Sequence, residues 1–289
     1  MTESAHTFSC GSHALVGILH QPEHPQPRGV VFVVGGGPQY RSGGHRQLTL
    51  WSRKLCAEGF PVFRFDYRGM GDAHGAFVGF EGIDDDIRAA IDCFTAVAPE
   101  VKEVVLWGEC DAASAILFYA HRDARVKGVV LLNPWARTQA GNARAILRFY
   151  YLQRLLQPSF WKKVLTFRFN PWTSTRTALG LIRLSGGAPS TAGPEPVRLG
   201  TAISRDGPLP ERLLQGLTRF EGPVMLVLSG RDLIAREFEV MVRDNAAWQA
   251  QFQRKPVTRR DLPEGDHTFS SAAQRDKVVG WGLEWLRSW

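Results

Sequence analysis

Val104-Val-Leu-Trp-Gly-Glu-Cys-Asp-Ala-Ala-Ser-Ala-Ile-Leu-Phe-Tyr-Ala120 is an apolar run that ends on Gly108-Glu109-Cys110-Asp111-Ala112 and passes into a stretch dense in small residues. The run has strand length and the small-residue stretch reads as a helix, so Cys110 falls on the turn between them. A G-x-S-x-G turn lifts one side chain above a sheet, and its small flanking residues let helix and strands pack closely. Here the lifted group is a thiol and the last small position is Ala112. Taken alone, the pattern reads more readily as a buried cysteine entering a helix, because free cysteine is among the most buried residue types. Two distant residues decide between the readings. Asp232 follows the apolar run Pro223-Val-Met-Leu-Val-Leu-Ser229, and His267 lies in Pro263-Glu-Gly-Asp-His-Thr-Phe269. The chain order is therefore nucleophile, acid, histidine, with each residue just beyond the end of a strand.

Working outward, Thr7 to Cys10 and Ala14 to His20 read as an opening antiparallel hairpin turned at Gly11-Ser12. Val30 to Val34, Pro61 to Phe65, Glu103 to Trp107, Val126 to Leu132, Val224 to Ser229 and Val257 to Leu262 read as further strands. The intervening helices are Gln47 to Glu58, stopped at Gly59, then Ile83 to Val97, Asp111 to His121, Arg236 to Phe252 and Ala272 to Trp289. Alternation of this kind predicts an α/β fold: an eight-stranded, mostly parallel sheet with helices on both faces and functional loops at the carboxyl ends of the strands. Between Leu132 and Pro223 the alternation breaks. The expected organisation is a core of residues 1–134 and 220–289, with 135–219 inserted as a helical cap. Insertions of this length are usually lids or binding loops when they are ordered, and the apolar content here argues against disorder.

Four cysteines, Cys10, Cys56, Cys93 and Cys110, are too scattered for a disulfide framework and lack zinc-site spacing. No metal and no cofactor is expected. Neither a signal-peptide pattern at the N-terminus nor an unbroken apolar span is present in the sequence, so a cytoplasmic location is expected. The net charge of +7 is uneven, because residues 136 to 219 carry thirteen Arg and Lys against three Asp and Glu. A locally basic segment attracts acidic ligands, an acidic carrier protein or an anionic membrane surface. Nucleic acid is not expected as a partner, since no zinc-finger, RNP or basic-region pattern is present. Within the insertion, aromatic and apolar positions beside Arg148, Arg154, Lys162, Lys163 and Arg168 fit either an acyl-lined lid with a basic outer face or an ordinary amphipathic helix pair.

The chemistry follows from the residue types. Attack by sulfur needs the thiolate, and an unperturbed cysteine with a pKa of about 8.5 is mostly protonated at neutral pH. His267 is the expected base, with Asp232 fixing its tautomer and stabilising its charge. Glu264 and Asp266 are poorer acids for this purpose because they share the histidine's own loop. The oxyanion hole needs two backbone N–H groups. Asp111 is the expected first donor, at a helix start that favours an anion. Gly37 is the expected second, from Gly35-Gly36-Gly37-Pro38, with Gly36 as the alternative because Pro38 has no N–H. Asp66 and Asp72 read as a buttress rather than as catalytic groups. Asp84, Asp85 and Asp86 read as a helix start rather than a metal site. Ser114, one turn into the helix, is expected to be buried, and Cys10, Cys56 and Cys93 are expected to be inert.

With these residues in place, the chain resembles the α/β-hydrolase superfamily, and within it the exosortase A system-associated hydrolases. The resemblance spans nearly the whole chain and rests on Gly35-Gly-Gly-Pro-Gln-Tyr-Arg41 with Gly44-His-Arg46, Phe65-Asp-Tyr-Arg-Gly-Met-Gly71, Gly108-Glu-Cys-Asp-Ala-Ala-Ser114 and Leu132-Asn-Pro-Trp135. It implies an α/β-hydrolase fold and an accessory enzyme of loci for exopolysaccharide export and protein sorting. The implied substrate is a carboxylic ester or thioester, free or carrier-bound. Cys110 departs from the serine pattern, as in dienelactone hydrolases. Acyl transfer through the same triad, and a partner-binding protein that keeps the fold without catalysis, remain alternatives at this level.

Overall fold

The computed structural model describes residues 1–137 and 207–289. The opening hairpin is β1 (Thr2–Cys10) and β2 (His13–Gln21), longer at both ends than the sequence pattern predicts. It is followed by β3 (Arg28–Val33), α1 (Gln47–Ala57), β4 (Val62–Asp66), α2 (Asp84–Val97), β5 (Glu103–Glu109), α3 (Asp111–Tyr119) and β6 (Val126–Leu132). After the undescribed segment come α4 (Leu209–Arg219), β7 (Val224–Ser229), α5 (Leu233–Arg243), α6 (Ala246–Arg254), β8 (Val257–Leu262) and α7 (Ala272–Leu286). The eight strands form one sheet in the order β1-β2-β4-β3-β5-β6-β7-β8. β1, β2 and β4 pair antiparallel and every other neighbour is parallel. The eight-stranded, mostly parallel sheet is the one that the alternation predicts.

β5 is central and buried on both faces, which is why its sequence reads as an unbroken apolar run rather than an alternating one. Successive side chains of a strand point to opposite faces. Trp107 accordingly meets α1 and α7: its ring lies 5.8 Å from Trp51 and 5.4 Å from Phe32, and it closes against Gly282. Gly108, one residue on, faces α3, where an added Cβ would stand 2.8 Å from Ile116 Cδ1 and 2.9 Å from the Ala112 carbonyl carbon. The missing side chain is what lets α3 lie directly on the strand that leads into it.

One helical expectation changes. The stretch read as one helix over Arg236 to Phe252 is two helices, α5 and α6, because Asn245 accepts from the N–H groups of Ala247 at 3.0 Å and Trp248 at 3.3 Å and so starts a new helix. Leu209–Arg219, included by sequence in the insertion, forms α4. It packs on α3, buries Leu213 and Leu217, and anchors Arg212 to Glu81 at 2.7 Å. The insertion's aromatic and basic stretch, with Arg148, Arg154, Lys162, Lys163 and Arg168, lies outside the described residues. Among the described residues no helix is long and apolar enough to cross a membrane, and no group of His, Cys, Asp or Glu is arranged to hold a metal.

Trp107→Ala removes the ring on which α1 and α7 both rest. It is expected to cost about 3–5 kcal/mol of stability, as large aromatic truncations in cores do, read as a lowered midpoint in chemical denaturation.

Candidate active site

The carboxyl ends of β3, β5 and β6 and the loop after β8 line one cavity. Cys110, between β5 and α3, has φ 59° and ψ −124°, a conformation that L-residues rarely adopt. Two backbone hydrogen bonds hold it there: Cys110 N–H donates to Leu132 O at 2.9 Å, and Trp135 N–H donates to Cys110 O at 3.0 Å. Gly35 comes so close that an added Cβ would sit 2.3 Å from Glu109 O. The turn is therefore pinned by β6 on one side and by the glycine loop on the other.

Asp232 caps α5, its carboxylate accepting from the N–H groups of Ile234 at 3.1 Å and Ala235 at 3.2 Å. Its Oδ2 also meets His267 Nδ1 at 2.8 Å. That contact occupies Nδ1, and the ring lines the same cavity as the Cys110 thiol, near enough that each group shifts the titration of the other. Burial disfavours the charged ring, but Asp232 and Cys110 outweigh it and push the His267 pKa up to about 11. Burial pushes the Cys110 thiol up, opposed by the neighbouring His267 ring and by the Asp111 backbone N–H. The thiolate therefore depends on those two partners.

The cavity, of about 160 Å³, is lined by Val33, Val34, Gly35, Gly36, Gln39, Gln47, Trp51, Trp107, Glu109, Cys110, Leu132 and His267 among others. Gly37, the expected second oxyanion donor, is not among the lining residues, whereas Gly35 and Gly36 are. The Gly36 N–H donates to Asp111 Oδ1 at 2.6 Å, so in this state it is already bonded.

The remaining expectations resolve by contact. Asp66 is fully buried and holds the glycine loop to the segment after β4: it accepts from Arg41 N–H at 2.6 Å, from the Arg41 guanidinium and from Asp72 N–H at 3.1 Å. Asp84 pairs with Arg122 and Asp86 with Arg68, so those carboxylates diverge. Asp266 accepts from Ser270 and leaves the imidazole to Asp232. Ser114 is buried with its hydroxyl on Trp135 O. Cys10 and Cys56 are buried, while Cys93 is half-buried; burial raises all three thiols.

Two residues of the site carry no role in the sequence reading. Glu109 lines the cavity beside the nucleophile, within a motif position that reads as variable. Asn133, fully buried at φ 44°, joins three segments: its Oδ1 accepts from Ser229 N–H at 2.8 Å, and its Nδ2 donates to Ser229 Oγ and to His267 O, both at 3.0 Å. Ser229 Oγ in turn donates to Asp266 O at 2.9 Å. The asparagine in Leu132-Asn-Pro-Trp135 was the available signal, since Asn tolerates positive φ and bonds neighbouring backbone.

A model of the Hydrolase_4 family, described as serine aminopeptidase, S33, matches residues 25–240. Among solved structures, an esterase of Pyrococcus furiosus is 16% identical with a TM-score of 0.64, covering 100% of this chain and 91% of its own. The α/β-hydrolase GrgF of a Penicillium species is 15% identical, with a TM-score of 0.62 and coverage of 99% and 98%. An esterase domain of a Rhodothermus marinus protein is 18% identical, with a TM-score of 0.59 and coverage of 99% and 98%. At these identities the likeness is one of fold. No curated protein matches the sequence significantly.

Two outcomes are expected of the site. Asn133→Ala leaves buried donors and acceptors on Ser229 and His267 without partners and should cost about 2–4 kcal/mol, measured by denaturant titration. His267→Ala removes the group that holds the Cys110 thiol down. The pH midpoint of iodoacetamide alkylation at Cys110, followed by peptide mass spectrometry, should therefore move upward; an unmoved midpoint would separate the imidazole from the thiol.

Proposed function

Because this chain belongs to the Hydrolase_4 family (serine aminopeptidase, S33), we propose that it is an acyl hydrolase that cleaves a carboxylic ester or thioester through Cys110, His267 and Asp232. The observation that carries the reading is the Asp232 carboxylate 2.8 Å from His267 Nδ1, with His267 lining the same cavity as the Cys110 thiol at the strained turn. The family's description names serine, and here sulfur stands at the turn. The neighbouring hydroxyl, on Ser114, is buried against Trp135 O and does not reach the cavity lining.

In the proposed reaction His267 takes the thiol proton and the thiolate attacks the acyl carbon, forming a C–S bond as the carbonyl oxygen becomes an oxyanion. Asp111 N–H, at the start of α3, is one donor to that oxygen. The second is proposed to come from the glycine loop through Gly37, since Gly36 N–H is held by the Asp111 carboxylate. Collapse expels the alcohol or thiol, which takes the proton from His267 and leaves an acyl-cysteine. Water, deprotonated by His267, then attacks that thioester, releasing the acid and returning the proton to sulfur. Asp232 stabilises the imidazolium at both stages. An alcohol or amine in place of water would give acyl transfer by the same steps.

The resemblance to exosortase A system-associated hydrolases supports a role beside exopolysaccharide and protein-sorting loci. A cytoplasmic location and recruitment of an acidic carrier or anionic membrane surface through residues 135–219 belong to the same proposal, supported by the basic charge of that segment.

Cys110→Ala is expected to abolish turnover of p-nitrophenyl esters and acyl thioesters, and Cys110→Ser to retain a small fraction. Wild-type rates in the alanine variant would remove Cys110 from the mechanism. Asp232→Asn is the cleaner probe of the acid, because Asn keeps the helix cap while removing the charge. It should lower kcat by about 10²- to 10⁴-fold, a smaller loss being natural for an intrinsically acidic thiol, whereas Glu264→Gln should leave kcat near wild type.

A further inference from the structure

Glu109 takes no part in the proton path, yet it shares the cavity with Cys110. Alternation along β5 puts Trp107 and Glu109 on the same face of the sheet, the face covered by α1. Gln47, the first residue of α1, is 3% exposed, and its Nε2 donates to Glu109 Oε2. One oxygen of each side chain is left over. Glu109 Oε1 and Gln47 Oε1 are both buried and meet no hydrogen-bond partner among the described residues. Both residues line the cavity together with the apolar side chains of Val33, Leu48, Trp51 and Trp107. Buried acceptors without partners are costly, and native structures rarely keep two together without a group that meets them.

We propose that Glu109 and Gln47 form a polar subsite of the acyl pocket that accepts a hydrogen-bond-donating substituent, a hydroxyl or an ammonium, on the acyl chain of the substrate. The assignment rests on the reading of Cys110 as the acylated residue. It follows from the atoms left open, which are oxygens on both partners, and from their place beside the residue that would carry the acyl group. Burial raises the Glu109 carboxyl to about 7; His267 opposes the rise and Gln47 also lowers it, while Asp232 and Asp266 add to it. With Glu109 ionised the subsite meets either donor. With Glu109 protonated it suits a hydroxyl, which both donates to Gln47 Oε1 and accepts from the carboxyl.

The experiment compares N-acetylcysteamine thioesters of butyric, 3-hydroxybutyric, 4-hydroxybutyric, 3-aminobutyric and 4-aminobutyric acids on the full chain, together with acylation of Cys110 by mass spectrometry. A site built to bond a substrate group rejects the analogue that lacks it. The wild type should therefore favour a hydroxy or amino thioester over butyryl by about 10-fold or more in kcat/KM, expressed in KM. The favoured arm tells hydroxyl from ammonium. Glu109→Gln and Gln47→Met should each shrink that ratio about fivefold or more. Equal kcat/KM on all five substrates, with Cys110 acylated, would overturn the subsite and leave the nucleophile assignment standing. Failure of every thioester to acylate Cys110 would overturn both. Loss of kcat by the same factor on all substrates in Glu109→Gln, with the ratio kept, would make Glu109 a support of His267 and overturn the subsite. Where a variant does not fold, the wild-type ratio decides.

Discussion

Everything at the catalytic end of the sheet is organised by the backbone of one residue. Cys110 holds φ 59° between a strand and a helix, and a non-glycine residue in that region costs of order 1–3 kcal/mol unless its surroundings over-determine it. They do so from three directions. Its N–H and C=O are both bonded to the segment around the end of β6, Gly108 admits α3 against the strand, and Gly35 admits the glycine loop against Glu109 O. Relaxing the turn would break those contacts together, so the strain is retained and the thiol is held over the cavity at the N-terminus of α3.

The same economy governs the acid and the base. Asp232 is nearly buried, yet three donors meet it: two N–H groups at the start of α5 and the His267 ring. The helix cap fixes the carboxylate before the imidazole is considered, so the charge that raises His267 is positioned by the fold. Asn133 does the equivalent for the histidine loop, tying the His267 carbonyl and Ser229 to the end of β6. The ends of β5, β6, β7 and β8 are thus joined by hydrogen bonds between residues far apart in the chain, which fix where Cys110 and His267 stand relative to each other.

Strands were the most legible elements, because a parallel strand buried on both faces is apolar almost throughout, and β6 and β7 fall where their apolar runs predict; β8, Val257-Thr-Arg-Arg-Asp-Leu262 at the sheet edge, falls where expected without being apolar. Helix boundaries were less so. Over Arg236 to Phe252 the helical spacing continues across Asp244-Asn245, and only the Asn245 side chain turning onto the next helix's N–H groups ends one helix and begins another. Leu209–Arg219 reads as part of a basic insertion because charge and composition carry no information about which neighbour a helix packs on; its partner, α3, is a hundred residues earlier in the chain.

The sequence by itself determined the alternation of strands and helices, the turn at Cys110 and the order Cys110, Asp232, His267, since these depend on local pattern and on spacing along the chain. Tertiary structure alone decided the rest. That Gly36 N–H is bonded to the Asp111 carboxylate, that Asn133 binds the histidine loop, and that Glu109 and Gln47 meet at the cavity are facts about pairs of residues from separate elements. Hydrogen bonds and burial act through space, so a motif position that looks free in the sequence, as Glu109 does, acquires its chemistry only when α1 is laid across β5.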